Sequence, residues 1–194
     1  MATGIAKIAT VAEKDALTAV LVLAFSTDPA ARWMYRDPHQ YITHFPSFIQ
    51  AFAGNAYTHK SAYYVGEYAG AALWLPPDVH PDEEAMIDLM QRTVPERNHQ
   101  DASAVFEQMG RYHPRQPHWY LPLIGVDPAH QGHGYGSTLM QHALVPCDQD
   151  KTPAYLESSN PRNISLYKRH GFELLGTIQV GTSPPLYPML RLPR

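Results

Sequence analysis

Apolar and other residues alternate along "IAKIATV" (residues 5–11), and a period of two predicts a first strand. The pattern then closes into an apolar run, "ALTAVLVLAF" (16–25), which predicts a buried helix starting near Ala12. Thr10 is placed to cap that helix, which ends before "STDPAARW". "PHQYITHFPSFIQAFAGNA" (38–56) holds a second helix, with Pro46 expected to break or start it. "SAYYVGEYAGAALWLPP" (61–77) predicts two strands joined in a hairpin around Gly66–Gly70. A polar, helical region runs from 81 to 113, interrupted at Pro95.

Beyond it the pattern sharpens. "HWYLPLIGV" (118–126) predicts a strand, and "GYGSTLMQHALVPC" (134–147) a helix with Leu139, Met140, Ala143 and Leu144 on one face. "PAYLESS" (153–159) predicts another strand. "PRNISLYKRHG" (161–171) predicts a helix with proline near its start and glycine after its end. "FELLGTIQV" (172–180) and "PLYPMLRL" (185–192) close the chain as two further strands. Strands alternating with helices, with a hairpin among them, predict an α/β fold with a mixed sheet.

The 194 residues suit one domain, 1–194, with a core large enough to need no disulfide or metal. Fifteen basic against eighteen acidic residues give a net charge of -3, which carries no electrostatic footprint for nucleic acid. The single cysteine, Cys147, excludes an intrachain disulfide framework, fits a reducing compartment and reads as an apolar filler. The run 16–25 is too short to span a bilayer and lacks the flanks of a signal peptide. A cytoplasmic protein without membrane association is expected.

Chemistry concentrates in "HQGHGYGS" (130–137), where Gly132, Gly134 and Gly136 leave the backbone bare between a strand and a helix start. Unpaired N–H groups and a partial positive charge at a helix N-terminus make an anion site there. A nucleotide P-loop needs a lysine before its Ser or Thr, but Gly136 directly precedes Ser137. A dinucleotide fingerprint fits Gly134, Gly136 and the acidic Glu157 downstream, but puts bulky Leu139 where its third glycine belongs.

A third reading fits better. Gln131-x-x-Gly134-x-Gly136 after "LIGVDP" resembles the acyl-coenzyme A loop of the Gcn5-related N-acetyltransferases, the GNAT family. "YLESSNPRNISLYKRHGF" (155–172) is similar to that family's second signature, with Asn163, Tyr167 and Gly171-Phe172 in its positions. The two motifs together resemble in particular the branch that includes puromycin N-acetyltransferase. The likeness is strong over about residues 118–177, roughly a third of the chain, and leaves 81–113 as a variable, acceptor-side region.

The resemblance implies a single-domain GNAT-like fold, with a mixed, mostly antiparallel sheet of six to seven strands flanked by helices. It implies acetyl-coenzyme A as co-substrate and transfer of an acetyl group to a primary amine of a small molecule, by direct attack in a ternary complex. Leu123, Ile124 and Val126 would lie along the pantetheine arm, with the Ile124 N–H donating to the thioester carbonyl as charge develops. Gln131, Gly132, His133, Gly134, Tyr135, Gly136 and Ser137 would wrap the pyrophosphate; His133 stands where many relatives carry arginine. Asn163 would hydrogen-bond the cofactor, and Tyr167 would protonate the departing thiolate. Glu157 and then His118 are the candidate general bases, with Glu67 in the hairpin weaker.

The residues also admit other readings. His130 and His133, with His113 and His118 nearby, invite a metal, but the 130/133 pair sits in a glycine loop rather than on one helical face, with no cysteine or acid to complete a set, so no metal is expected. The aromatic "SAYYVGEYAGAALW" reads as hairpin core rather than a stacking platform for bases. From a different functional class, a non-catalytic coenzyme A-binding sensor or interaction module would keep the same loop. A monomer or homodimer is expected.

Overall fold

The computed structural model describes residues 4–194. The chain opens with a two-residue edge strand β1 (Lys7–Ile8), then α1 (Lys14–Ala24), α2 (Pro29–Met34), α3 (Pro38–Ala53) and the single turn α4 (Asn55–Thr58). The hairpin β2 (Ala62–Val65) and β3 (Gly70–Leu75) follows, then α5 (Glu83–Thr93) and α6 (His99–Tyr112). The second half runs β4 (Trp119–Val126), α7 (Tyr135–Gln149), β5 (Ala154–Ser158), α8 (Ile164–Arg169), β6 (Glu173–Leu174) and β7 (Tyr187–Arg191). Seven strands form one sheet in the order β1-β2-β3-β4-β5-β7-β6, in which only β4 and β5 are parallel. The expected single α/β domain with a mostly antiparallel sheet is the one observed.

Each face of the sheet buries its own cluster. On one face α1, α3, α5 and α6 pack around Phe45, Ile49, Leu73, Leu75, Tyr120 and Tyr155. On the other, α7 and α8 cover Trp74, Leu121, Leu156 and Met189 with Leu139, Met140, Leu144 and Tyr167. Leu139, Met140, Ala143 and Leu144 share the buried face that their spacing predicted. No helix among the described residues is long and apolar enough to cross a membrane.

Four local expectations change. Pro46 neither breaks nor starts a helix but lies inside α3. It removes one backbone N–H, and burial of Phe45, Phe48, Ile49 and Phe52 around it holds the helix together. The stretch 172–180 contributes only Glu173–Leu174 and one isolated bridge, Ile178 to Leu186. Residues Glu173, Leu174 and Leu175 are exposed, and Gly176 presses so closely on the Tyr112 ring that a Cβ there would meet its hydroxyl at 2.4 Å. The first strand shrinks to Lys7–Ile8, continued by one hydrogen bond from Ala9 to Ala62. Finally, residues 29–34, to which the pattern assigns no element, form α2: Asp28 caps it and Pro29 takes its first position, a signal present in the sequence.

The break between β4 and β5 positions everything that follows. Their parallel ladder covers Trp119–Leu121 against Ala154–Leu156 and stops there. Pro122 comes next, with no N–H to donate. The β3–β4 register also shifts at this point, so that β4 carries one extra residue between Tyr120 and Leu123. A bulge of this kind re-aims the strand beyond it. Asp127 donates its N–H to Ala69 on the β3 side, so by strand alternation the N–H groups of Ile124 and Val126 point away from β3, into the opening.

Candidate active site

The opening between β4 and α8 is a cleft of about 500 Å³. Its floor is Ile124, Gly125 and Val126, its rim the loop from His130 to Ser137, and its far wall Asn163, Tyr167 and the side chains of Arg162 and Arg169. Gly132 and Gly134 hold φ of +80° and +84°, the left-handed region that a Cβ disfavours. Gly134 is the N-cap of α7 and provides no side-chain cap, so the first N–H groups of that helix face the cleft without a capping partner. Gly136 serves closeness instead, because a Cβ there would already touch Leu166 at 3.4 Å. An uncapped helix start on a glycine loop, with two arginines across the cleft, fits a diphosphate.

Not every expected residue faces the cleft. His133 is exposed and turns its imidazole to the carbonyls of His130 (3.1 Å) and Gln131 (3.0 Å), leaving only its backbone to the loop. The Ser137 hydroxyl lies 2.7 Å from His170 Nε2. Burial, then the nearby arginines, lowers the pKa of His170, so its neutral ring accepts that hydroxyl proton. Leu123 lies on the opposite face of β4, in a separate apolar cavity. Gln131 reaches back to the Val126 carbonyl at 3.4 Å. Arg162, Arg169 and Asp28, which carry no motif signal, also line the cleft, as does His130, which the sequence offers only as part of a histidine group.

That second cavity, about 100 Å³, lies between α2, α3, α6 and the sheet. A throat of about 30 Å³ joins it to the cleft. Phe25, Pro122, Glu157 and Ser159 line both throat and cavity, while Phe25, Ile124, Asn163 and Tyr167 line both throat and cleft. The two motif residues therefore stand on the cleft side of a passage whose other side carries Glu157.

Glu157 comes from the C-terminal half of β5, and its side chain is 3% exposed. One carboxylate oxygen accepts from the Tyr120 hydroxyl at 2.8 Å. The other, Oε1, is buried without an aligned hydrogen bond; His113 Nε2 is 3.4 Å away, near but poorly directed. Such an orphaned buried oxygen marks a place where a donor is missing. Burial first, then the charge of Glu157, pushes Tyr120 well above the usual phenol range, so it stays a donor.

His118 does not reach the throat itself. Its Nδ1 lies 2.9 Å from the Gln116 carbonyl, which can only accept, so Nδ1 carries the proton. Burial lowers the pKa of His118 and keeps the ring neutral, leaving Nε2 to accept from His113 Nδ1 at 3.0 Å. The series Glu157–His113–His118–Gln116 thus runs from the throat to exposed chain. His113, at the end of α6, was noticed in the sequence only as part of a histidine group. Glu67 lies in the exposed turn of the hairpin, away from this site.

Two further groups complete the throat. Tyr167 is buried, and desolvation followed by the field of Asp28 raises its hydroxyl far above the ordinary range, so it is a proton donor at neutral pH. Asp28 is 7% exposed and accepts from Ser159 Oγ at 2.6 Å and from the N–H groups of Ala30 and Ala31 at 2.9 and 3.1 Å. Its burial raises its pKa against those bonds. Elsewhere the buried thiol of Cys147 is pushed up to about 12 by desolvation, which makes it unreactive. Among the described residues no three His, Cys, Asp or Glu side chains converge as a ligand set; His130 instead lies 3.5 Å from Asp127.

Comparison with known proteins follows the same lines. Residues 23–172 match the model of the acetyltransferase (GNAT) family. An uncharacterized N-acetyltransferase of Schizosaccharomyces pombe is 29% identical over 151 residues, which are 66% of this chain and 58% of that relative. The chain therefore spans less than two thirds of the length of that curated relative. A solved structure described as histone acetyltransferase HPA2 and related acetyltransferase, from Corynebacterium glutamicum, is 25% identical with a TM-score of 0.73, covering 100% of this chain and 98% of the other. The polyamine N-acetyltransferase of Drosophila melanogaster, at 12% identity and a TM-score of 0.66, shares the fold over 97% of this chain and 99% of its own.

Proposed function

The chain belongs to the acetyltransferase (GNAT) family, and from that premise we propose that it is an acetyl-coenzyme A-dependent N-acetyltransferase acting on the primary amine of a small molecule. The observation that carries this reading is the throat. It joins the glycine-rimmed cleft to the apolar cavity, with a buried proton acceptor on one side and a buried proton donor on the other. Transfer by direct attack within a ternary complex suits a throat with a separate compartment on each side, since both substrates can be present together.

Acetyl-coenzyme A supplies an activated thioester. The loop from Gln131 to Ser137 and the start of α7 would hold its diphosphate, with Arg162 and Arg169 across the cleft adding charge. The outward N–H of Ile124 is aimed into the opening, where it stabilises negative charge on the thioester oxygen during attack. Glu157 Oε1 accepts a proton from the incoming ammonium, freeing the lone pair, and His113 and His118 continue that path outward. Tyr167 delivers its phenolic proton to the leaving thiolate. The two motifs together support a likeness to the branch that includes puromycin N-acetyltransferase. A cytoplasmic setting fits the single buried thiol.

Calorimetry with acetyl-coenzyme A, together with thiol release in the presence of a panel of amines, tests the reading. Binding and amine-dependent release of coenzyme A are expected. Absence of binding at millimolar ligand overturns the cofactor assignment. Binding without turnover on any amine leaves a coenzyme A-binding module in place of an enzyme.

A further inference from the structure

Which amine enters is written in the walls of the cavity beyond the throat. Phe45, Phe48 and Phe52 of α3 face Val105, Phe106 and Met109 of α6 across it. Its size, about 100 Å³, is that of one ring or a short alkyl chain; an engineered apolar cavity of about 150 Å³ takes benzene.

The polar side chains in the lining are few, and nearly all are engaged. Ser159 donates to Asp28, and Ser183 Oγ accepts from the Val180 N–H at 2.9 Å. Trp33 Nε1 donates to Thr182 Oγ1 at 3.1 Å, and the Tyr120 hydroxyl donates to Glu157. Asp28 accepts three hydrogen bonds of its own. Glu157 Oε1 alone among these side-chain atoms is buried without an aligned partner. Both carboxylates of the lining, Asp28 and Glu157, lie toward the throat: Glu157 lines it, and Asp28 is bonded to Ser159, which does. The helical walls carry no charge at all.

We propose that the acceptor is a monocationic primary amine with a compact apolar tail, an arylethylamine or medium alkylamine, its ammonium donating to Glu157 Oε1 and its tail seated between α3 and α6. This rests on the acetyltransferase reading above. A second ammonium, as in agmatine or spermidine, would be buried against phenylalanine and methionine without a counter-charge, a large penalty for an ion removed from water. The hydroxyls of an amino sugar would meet a lining that is mostly apolar carbon with few polar partners, and would leave most of their own groups unpaired. Methylene by methylene, burial of the tail raises affinity about fourfold per carbon until the cavity is full.

The test uses the full chain with acetyl-coenzyme A and four kinds of probe: phenethylamine, the n-alkylamines from propyl to octyl, agmatine and spermidine. The expected result is kcat/KM rising about fourfold per methylene along the short alkylamines and then falling. Phenethylamine is expected to exceed agmatine and spermidine by about 100-fold or more. Phe106→Ala, checked for folding by its melting curve, is expected to move the alkylamine optimum to longer chains. A preference for agmatine or spermidine, or a flat response to chain length, overturns the proposal and leaves acetyl transfer standing. If no amine is turned over, acetyl transfer falls, and calorimetry with phenethylamine in the presence of coenzyme A decides the cavity by itself. Binding that weakens in Glu157→Gln then supports the cavity assignment, and no binding overturns it.

Discussion

Replacing Glu157 by glutamine tests the chemistry at the throat with little disturbance of shape. The amide carbonyl can still accept the Tyr120 hydroxyl, now 2.8 Å from the carboxylate, and the side chain keeps its buried position. What it loses is the ability to take a proton. Positioned general bases contribute about 10²–10⁴-fold to rate. At 1.36 kcal/mol per decade, that is about 3–5 kcal/mol of barrier. Stability should not fall, because a neutral amide costs less to bury than a carboxylate. Affinity for acetyl-coenzyme A should also hold, since Glu157 lines the throat and the cavity but not the cleft. Steady-state release of coenzyme A, read with a thiol reagent across amine concentrations, measures kcat; calorimetry and a melting curve measure the other two quantities. A kcat within about fivefold of the unmodified protein would refute the base assignment. So would a loss of acetyl-coenzyme A affinity as large as the loss of turnover, because that would place Glu157 in the wrong compartment.

Tyr167→Phe should lower kcat by about 10-fold or more with the acetyl-coenzyme A dissociation constant nearly unchanged, and an unaltered rate removes the phenol from the acid role. Gly134→Ala forces a Cβ onto a residue at φ +84°, costing about 1–2 kcal/mol, and calorimetry should show weaker coenzyme A binding; equal affinity would refute the cradle. Asp148 is held below the usual carboxylate range, chiefly by the forked Arg191 bonds at 2.8 Å. Its folded pKa is depressed, so its stabilisation is complete above the unfolded value near ~3.9 and is lost as pH falls through the lower folded value. Asp148→Asn should therefore destabilise by about 2 kcal/mol at neutral pH. Urea melts of variant and unmodified protein should converge in acid, and a gap that persists to the lowest pH would refute the linkage.

Much of the cofactor side was legible because its signals are local. The glycines at 132, 134 and 136 set the backbone of a loop that is contiguous in sequence, and Asn163 and Tyr167 stand four residues apart on one short stretch. Their spacing alone places them together, whatever the rest of the chain does. Where side chains turn within such a loop was not legible: His133 faces its own carbonyls and Ser137 is taken by His170, because tertiary neighbours choose the rotamers.

The acceptor side depends on contacts that no spacing encodes. Ser159 meets Asp28 across 131 residues, and His113 meets Glu157 only because α6 ends above β5. Glu157 is the first candidate base in the sequence, but it becomes a buried acceptor only when β7 pairs beside β5 and α3 and α6 close over the face. Local spacing determined most of the elements, the glycine loop and the family likeness. The sheet register, the parting of β4 from β5 at Pro122 and the packing of α3 against α6 decided which charges face the throat, because burial and long-range side-chain pairing exist only after the layers have assembled.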